Sequence, residues 1–278
     1  VLSLMSFGFL DHAVDLVLAQ TGTAGDGHGL FFASALVLGR HVQDTVGVQS
    51  VQALGAELVE QQARAILEDM PVAAFKIGVL GSVENVLAVA EIVSDYPEIP
   101  LILDPVLASG RGDELSGEEI ISAMREMLLP QTTLVTPNAP EARRLAESDE
   151  DEGEPGIDVC AQRLIEMGAQ YVLITGTHES TPQVVNTLYG PNGVVRRDQW
   201  ERLPGSYHGS GCTLASAIAG CIAGGANIED AVRDAQDYTW NTLKNGFRAG
   251  MGQFIPDRFY WARDDNETGD TKQADAQD

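Results

Sequence analysis

Short apolar runs alternate with amphipathic stretches through the middle of the chain, and that alternation predicts a strand–helix repeat. Ala73-Ala74-Phe75-Lys76-Ile77-Gly78 predicts a buried strand ending in glycine. Val83 to Ser94 predicts a helix, with Val86, Leu87, Ala90 and Val93 near helical spacing. Pro100 to Pro105 is the next strand, closed by Asp104-Pro105, and Glu118 to Leu129 is again helical. Thr133 to Pro137 predicts a strand stopped by proline, with helices from Pro140 to about Ala146 and from Asp158 to Met167. Tyr171 to Gly176 predicts a strand, and Val184–Tyr189 with Gly193–Arg197 a hairpin. A small-residue helix, Thr213 to Ala223, and a further helix, Ile228 to Leu243, complete the pattern. No internal repeat is evident.

Fully apolar strands alternating with helices imply an α/β fold whose mostly parallel sheet is covered on both faces. Ligands of such sheets bind beyond the carboxyl ends of the strands. The residues that end the strands therefore become candidates: Lys76, Asp104, Thr136-Pro137-Asn138 and Thr175-Gly176. Lys76 is a lone lysine in an apolar strand, so its charge must reach water or a partner. An anionic ligand and a stem that snorkels to solvent are both open. Asp104 is either a turn former or an acid near magnesium. Asn138 and Glu141, three apart after a strand, match a capping box, and on spacing alone capping is the stronger reading. The alternative is an amide and a carboxylate facing phosphates through magnesium and its waters.

The sharpest signal is His208-Gly209-Ser210-Gly211-Cys212-Thr213, just before the small-residue helix. Gly209 and Gly211 permit unusual backbone angles there. The helix start offers unpaired N–H groups and a positive dipole end, which suit a phosphoryl group. Cys212 falls in the first turn, where a thiol can accept or position a proton. An inert cysteine at a glycine-rich helix entry fits the spacing equally well. Cys160 and Cys221 lack this setting and are expected to pack. There is no Walker A pattern and no GxGxxG between strand and helix; Thr21 to Gly29 is glycine-rich but fits neither.

Composition then narrows the partners. The chain of 278 residues has 41 acidic and 17 basic residues, a formal charge of −24, and only three lysines. So negative a surface would be repelled by nucleic acid, and many acids with few lysines suit a salt-rich cytoplasm, where repulsion is screened. Twelve of the acids lie in 147–154 and in 263–278, which read as a solvated loop and a disordered acidic tail beyond a domain of residues 1–262. No apolar run is long enough to span a membrane, no basic n-region marks a secretory signal, and three cysteines make no disulfide framework or zinc site. A reducing cytoplasm is the expected compartment.

These motifs, in this order, resemble the ribokinase-like superfamily, and within it the hydroxymethylpyrimidine/phosphomethylpyrimidine kinases of thiamine biosynthesis. The resembling text runs from Val42-Gln43-Asp44-Thr45-Val46-Gly47-Val48 through Phe75-Lys76-Ile77-Gly78-Val79, Leu103-Asp104-Pro105-Val106, Thr136-Pro137-Asn138-Ala139-Pro140-Glu141 and Ile174-Thr175-Gly176 to His208-Gly209-Ser210-Gly211-Cys212-Thr213. Gly-Ser-Gly-Cys is specific, because sugar kinases of the superfamily usually carry Asp at the position of Cys212. The resemblance implies one ribokinase-like α/β domain using ATP and Mg2+ on a small pyrimidine, with a possible homodimer. It implies that Gln43, Val79 and Val106 hold the ring and that Gly209, Gly211 and Cys212 form the anion hole and catalytic position. It further implies that Asp104 and Glu141 serve magnesium, and that Lys76, Asn138, Thr175 and Gly176 lie near phosphates and nucleotide. The departures are at the front: the family opens with a strand, a glycine-rich loop and a helix, whereas residues 12–41 do not match. Ser6 to Asp11 is the candidate strand end, and many relatives carry a lysine near Ile174-Thr175. A pyridoxal kinase, whose substrate is also a flat ring with a hydroxymethyl group, and a catalytically impaired binding protein are the alternatives.

Overall fold

The computed structural model describes residues 16–23, 29–36, 38–108, 115–148, 151, 153–179 and 181–262. In chain order these form β1 (Leu16–Thr23), β2 (Gly29–Leu36), β3 (Gly39–Gln43), β4 (Val48–Ala53), α1 (Ala56–Asp69), β5 (Ala74–Ile77), α2 (Val83–Asp95) and β6 (Leu101–Leu103). Then come α3 (Glu118–Ala123), β7 (Leu134–Val135), α4 (Ala139–Leu145), α5 (Ile157–Glu166), β8 (Tyr171–Ile174), β9 (Gln183–Gly190), β10 (Gly193–Glu201), α6 (Ser210–Ala223) and α7 (Ile228–Lys244). Eight strands form one sheet in the order β10-β9-β8-β7-β6-β5-β1-β2, and β3 and β4 form a separate hairpin. The central strands β5 to β8 are parallel. An antiparallel pair closes each edge.

Alternation along the parallel strands sorts the core into two layers. Phe75, Ile77, Leu101, Leu103, Val135, Val172 and Ile174 pack with residues of α1 to α5. Ala74, Ile102, Leu134 and Leu173 face α6 and α7. By the same alternation Lys76 and Asp104 point to the α6 side. The first turns of α6 are almost all small residues, so this helix lies close on the sheet over those two charges. Each large apolar side chain buried in these layers contributes about 1.5–3 kcal/mol.

Most predicted elements are found within a few residues. Three regions differ. The expected helix over Glu118 to Leu129 is α-helical only to Ala123, then widens into a π turn at Met124–Leu128. There Arg125 Nε donates to Leu145 O at 2.8 Å and its Nη2 reaches Arg144 O, so the arginine caps the end of α4. Pro130, without an N–H, ends the segment. The front does not form strand, loop and helix: β1 and β2 are an antiparallel ribbon, and β1 pairs antiparallel with β5, with Leu16 opposite Ile77. The candidate strand end at Ser6–Asp11 and the tail after Ala262 lie outside the described residues. Finally, the acidic loop is not simply solvated. Asp151 forms a two-pronged ion pair with Arg163, at 2.6 and 2.7 Å, which holds its carboxyl below the usual range. Among the described residues no helix is long and apolar enough to cross a membrane.

The β3–β4 hairpin, which the apolar pattern leaves unassigned, is fastened by one buried side chain. Asn85 Nδ2 donates to Leu38 O at 3.2 Å and to Leu80 O at 2.8 Å, joining the hairpin base to the loop after β5. Replacing Asn85 by Ala takes the donor from Leu80 O, while Leu38 O keeps Leu54 N at 2.8 Å, and should cost about 1–3 kcal/mol. A lowered urea midpoint at unchanged slope is the expected result.

Candidate active site

The carboxyl ends of β5, β6, β7 and β8 and the N-terminus of α6 enclose the site. Lys76, near the end of β5, has no exposed surface, and its Nζ lies 3.3 Å from Asp104 Oδ2. The stem does not snorkel to solvent; the charge is met inside the protein by the Asp104 carboxylate. Asp104, just past β6, is fixed by its own N–H, which donates to Ile77 O at 2.8 Å. Its Oδ1 points at the glycine turn: a Cβ added to Gly211 would lie 3.9 Å from it.

Glu141 is the second buried acid. The capping box is present in full: Asn138 Oδ1 accepts from Glu141 N at 2.9 Å, and Glu141 Oε2 accepts from Asn138 N at 3.0 Å. Glu141 Oε1 also accepts from Leu107 N at 3.2 Å, tying α4 to the segment that carries Val106. Of the two readings of this pair, the structure shows the capping box. Burial, and then the charge of Asp104, push the Glu141 carboxyl up to about 7, against the pull of the two backbone N–H donors. Two buried carboxylates beside a single lysine leave a local excess of negative charge that a cation relieves.

The glycine turn has the geometry its sequence requires. Gly209 adopts φ +77°, the left-handed region where only glycine is unstrained, and α6 starts at the next residue. Thr213 Oγ1 donates to Gly209 O at 2.8 Å and closes the turn. Cys212 is exposed in the first turn, whereas Cys160 and Cys221 are buried as expected, and burial raises both thiols.

Thr175 N donates to Pro137 O at 3.0 Å, placing Thr175 and Gly176 beside Asn138. Gly176 admits no side chain, since a Cβ would sit 2.2 Å from Val185 O. Its N–H donates to Asn186 Oδ1 at 3.0 Å. Asn186 Nδ2 in turn donates to Gln236 Oε1 at 2.8 Å, and Gln236 also meets Trp200 Nε1 and Asp198. The loop after β8 is gripped a second time by Arg202, whose guanidinium donates to the carbonyls of Thr177, Glu179 and Thr181.

Gln43 ends β3, half-buried. The hairpin turn that follows is bolted to a late segment: Gly252 N donates to Thr45 Oγ1 at 3.1 Å and Gln253 N to Thr45 O at 2.7 Å. The same segment holds the approach to the glycine turn, with Phe254 N donating to Ser206 O and His208 N to Phe254 O. Residues 252–254 thus strap the Gln43 hairpin to the Gly209 turn. Val79 is half-buried in the loop after β5, and that loop packs under β4 where a Cβ on Gly81 would lie 3.2 Å from Ala53 Cβ. Val106 is half-buried beside Leu107. The structure thus sets Lys76, Glu141 and Gly211 around Asp104, places Thr175-Gly176 beside Asn138, and ties the turn after Gln43 to the Gly209 turn through residues 252–254.

Sequence reasoning missed Asn186, Gln236, Arg202 and the strap. Only Asn186 carries a local signal, an amide within the apolar run Val184-Val185-Asn186-Thr187-Leu188.

Residues 20–257 match the family model described as phosphomethylpyrimidine kinase. The hydroxymethylpyrimidine/phosphomethylpyrimidine kinase of Streptomyces coelicolor is 33% identical over 253 residues, covering 85% of this chain and 91% of that protein. The chain spans under half the length of two bifunctional thiamine-biosynthesis relatives that it also matches. The crystal structure of phosphomethylpyrimidine kinase from Clostridium difficile 630 is similar with TM-score 0.62 at 28% identity, covering 77% of this chain and 86% of that one. Pyridoxal kinase from Staphylococcus aureus, solved in complex with AMP-PCP, gives TM-score 0.71 at 26% identity, covering 86% and 85%.

The raised Glu141 pKa gives a signed pH dependence. The folded state holds this proton more tightly than the unfolded chain, where the carboxyl has its ordinary value of 4.5. The contribution is therefore full below about pH 4.5 and is lost as pH rises through about 7, a decline on the order of 3 kcal/mol. Glu141→Gln, which keeps the capping box, should flatten the difference in unfolding free energy between pH 5 and pH 8, measured in urea.

Proposed function

The chain belongs to the phosphomethylpyrimidine kinase family, and from that membership we propose that it uses ATP to phosphorylate 4-amino-5-hydroxymethyl-2-methylpyrimidine and then its monophosphate, in the formation of thiamine diphosphate. The observation that carries the reading is the meeting of the Gly209–Cys212 turn with Asp104 at the strand ends, where Gly211 faces that carboxylate. A phosphoryl group received at the first turn of α6 meets backbone N–H groups and the positive end of the helix.

In the reaction the hydroxymethyl oxygen bonds to the γ-phosphorus. The bond from that phosphorus to the bridging oxygen breaks, and its electron pair leaves with ADP. Cys212, exposed in the first turn of α6 and acting as the thiolate, takes the hydroxyl proton and becomes the thiol. Gln43 meets the ring edge, and Val79 and Val106 wall the ring. Thr175 and Gly176 lie along the nucleotide with Asn138, and their positions are fixed by the Asn186–Gln236 relay and the Arg202 grip. Catalysis is positioning and charge stabilisation by groups already in place.

The residues fit a magnesium ion. The donors are hard carboxylate oxygens, and Glu141 is an anion that its surroundings disfavour. An ion that keeps waters and shares phosphate oxygens needs only one or two protein carboxylates. Asp104 and Glu141 would hold it, and when bound it neutralises charge on the transferring phosphates. Lys76 holds the Asp104 carboxylate in place.

A second reading is pyridoxal phosphorylation, favoured by the higher TM-score to the Staphylococcus aureus pyridoxal kinase. A coupled ATP-consumption assay with each ring separates the two. Turnover with the pyrimidine alone is expected, and turnover with pyridoxal alone would reverse the assignment. Binding of the pyrimidine, seen as thermal stabilisation, without turnover would make the chain a binding protein. Cys212→Ala is expected to lower kcat on the order of 100-fold with the fold intact; an unchanged rate would remove the thiol from the mechanism.

A further inference from the structure

The Gly209–Cys212 turn has two flanks. Gly211 faces Asp104, and Gly209 faces Arg258: a Cβ placed on Gly209 would lie 3.2 Å from Arg258 Nη2. Arg258 Nε donates to Thr213 Oγ1 at 3.2 Å, so the guanidinium lies along the opening turn of α6. Its backbone is anchored on both sides. Tyr238 OH donates to Arg258 O at 3.0 Å, Asp257 N donates to Thr242 O at 2.9 Å, and Phe259 N donates to Asp257 Oδ1 at 3.2 Å. The segment is continuous with the strap that holds His208.

The electrostatic balance of the site gives this arginine a task. Lys76 is committed to Asp104 at 3.3 Å, and Glu141 adds a second acid. The helix end offers only about half a positive charge. During transfer, charge spreads over the equatorial oxygens of the moving phosphoryl group. A guanidinium presents a planar set of N–H donors matched to such oxygens.

We propose that Arg258 is a catalytic residue of this kinase, donating from its guanidinium to the equatorial oxygens of the phosphoryl group while that group is held over the Gly209–Cys212 turn. The inference rests on the reading of that turn as the phosphoryl site. Arg258 makes no bond to the ring and takes no proton. It stabilises the charge present while the new oxygen–phosphorus bond forms and the bond to ADP breaks, and it keeps its own protons throughout.

The test uses the full chain and its Arg258→Ala and Arg258→Lys variants, each first compared with wild type in thermal unfolding. Arg258→Ala should lose kcat on the order of 100-fold, with KM for the pyrimidine within about twofold of wild type. Lysine, which keeps the charge without the planar fork, should recover part of the rate. Millimolar ethylguanidinium should recover part of it in the alanine variant. A folded Arg258→Ala enzyme with wild-type kcat overturns the assignment while leaving the reading of the turn intact. So does a loss that follows a lowered melting temperature and responds to neither lysine nor ethylguanidinium, which would make Arg258 a structural contact. A wild-type chain that consumes ATP with neither ring overturns the kinase reading, and the role of Arg258 with it.

Discussion

Lys76 and Asp104 are withdrawn from water together, and the ion pair between them is the constraint on which the site depends. Desolvating each charge costs several kcal/mol, and the attraction offsets that only while both partners stay in place. The backbone supplies the fixity. Lys76 is within the parallel ladder, in register with Ile102, and Asp104 N donates to the neighbouring strand. The small residues of α6 follow from the same demand. A bulky first turn would hold the helix away from the sheet and separate the glycine turn from the two charges. Glu141 completes the arrangement, because its capping role leaves its carboxyl beside Asp104, where burial and that neighbouring charge disfavour its ionised form.

The glycine turn is at one end of the site and the Gln43 hairpin is at the other, and neither belongs to the parallel core. Both are held by residues 252–254, through Thr45 on one side and Ser206 and His208 on the other. A shift at the hairpin therefore reaches the turn through a handful of backbone hydrogen bonds. Close packing limits the alternatives, since a Cβ on Gly252 would fall 2.0 Å from Thr45 O. The strap thus couples the proposed ring end of the site to the phosphoryl end.

The parallel core was legible from the sequence because buried strands and amphipathic helices write their periods directly into the chain. Lys76, Asp104, Asn138, Glu141 and the Gly209–Cys212 turn were legible because each ends a strand or starts a helix, where ligands of parallel sheets gather. The β3–β4 hairpin and α1 were not, since their pattern lacks a clear apolar run. Pairing partners were not legible either. Nothing local to Gln236 shows that it orients Asn186, and nothing local to Arg258 shows that it lies on Gly209. Such contacts depend on residues dozens of positions away in a tertiary fold. The front of the chain was not legible either. Residues 12–41 read only as a mismatch to the family, and neither the two strands there nor their antiparallel pairing at the sheet edge was assigned.

The formal charge of −24 sits uneasily with the anionic substrate proposed, and the placement of the cations resolves the conflict. Of 17 basic residues only three are lysines, so the positive charge is nearly all guanidinium. Many of these are committed to architecture: Arg125 and Arg202 cap backbone carbonyls, Arg163 holds Asp151, and Arg196 holds Asp198. Arginine suits that work because one planar group satisfies several acceptors at once. Lys76 and Arg258 differ from these in facing the strand ends and the opening turn of α6. Over distances beyond a Debye length the acidic surface is screened by salt, whereas cations and backbone N–H groups within a few ångströms of a bound phosphate are not. Net charge therefore governs how this protein meets solvent, and in the proposed site the local arrangement of two cations, two acids and one helix end would govern how it meets phosphate.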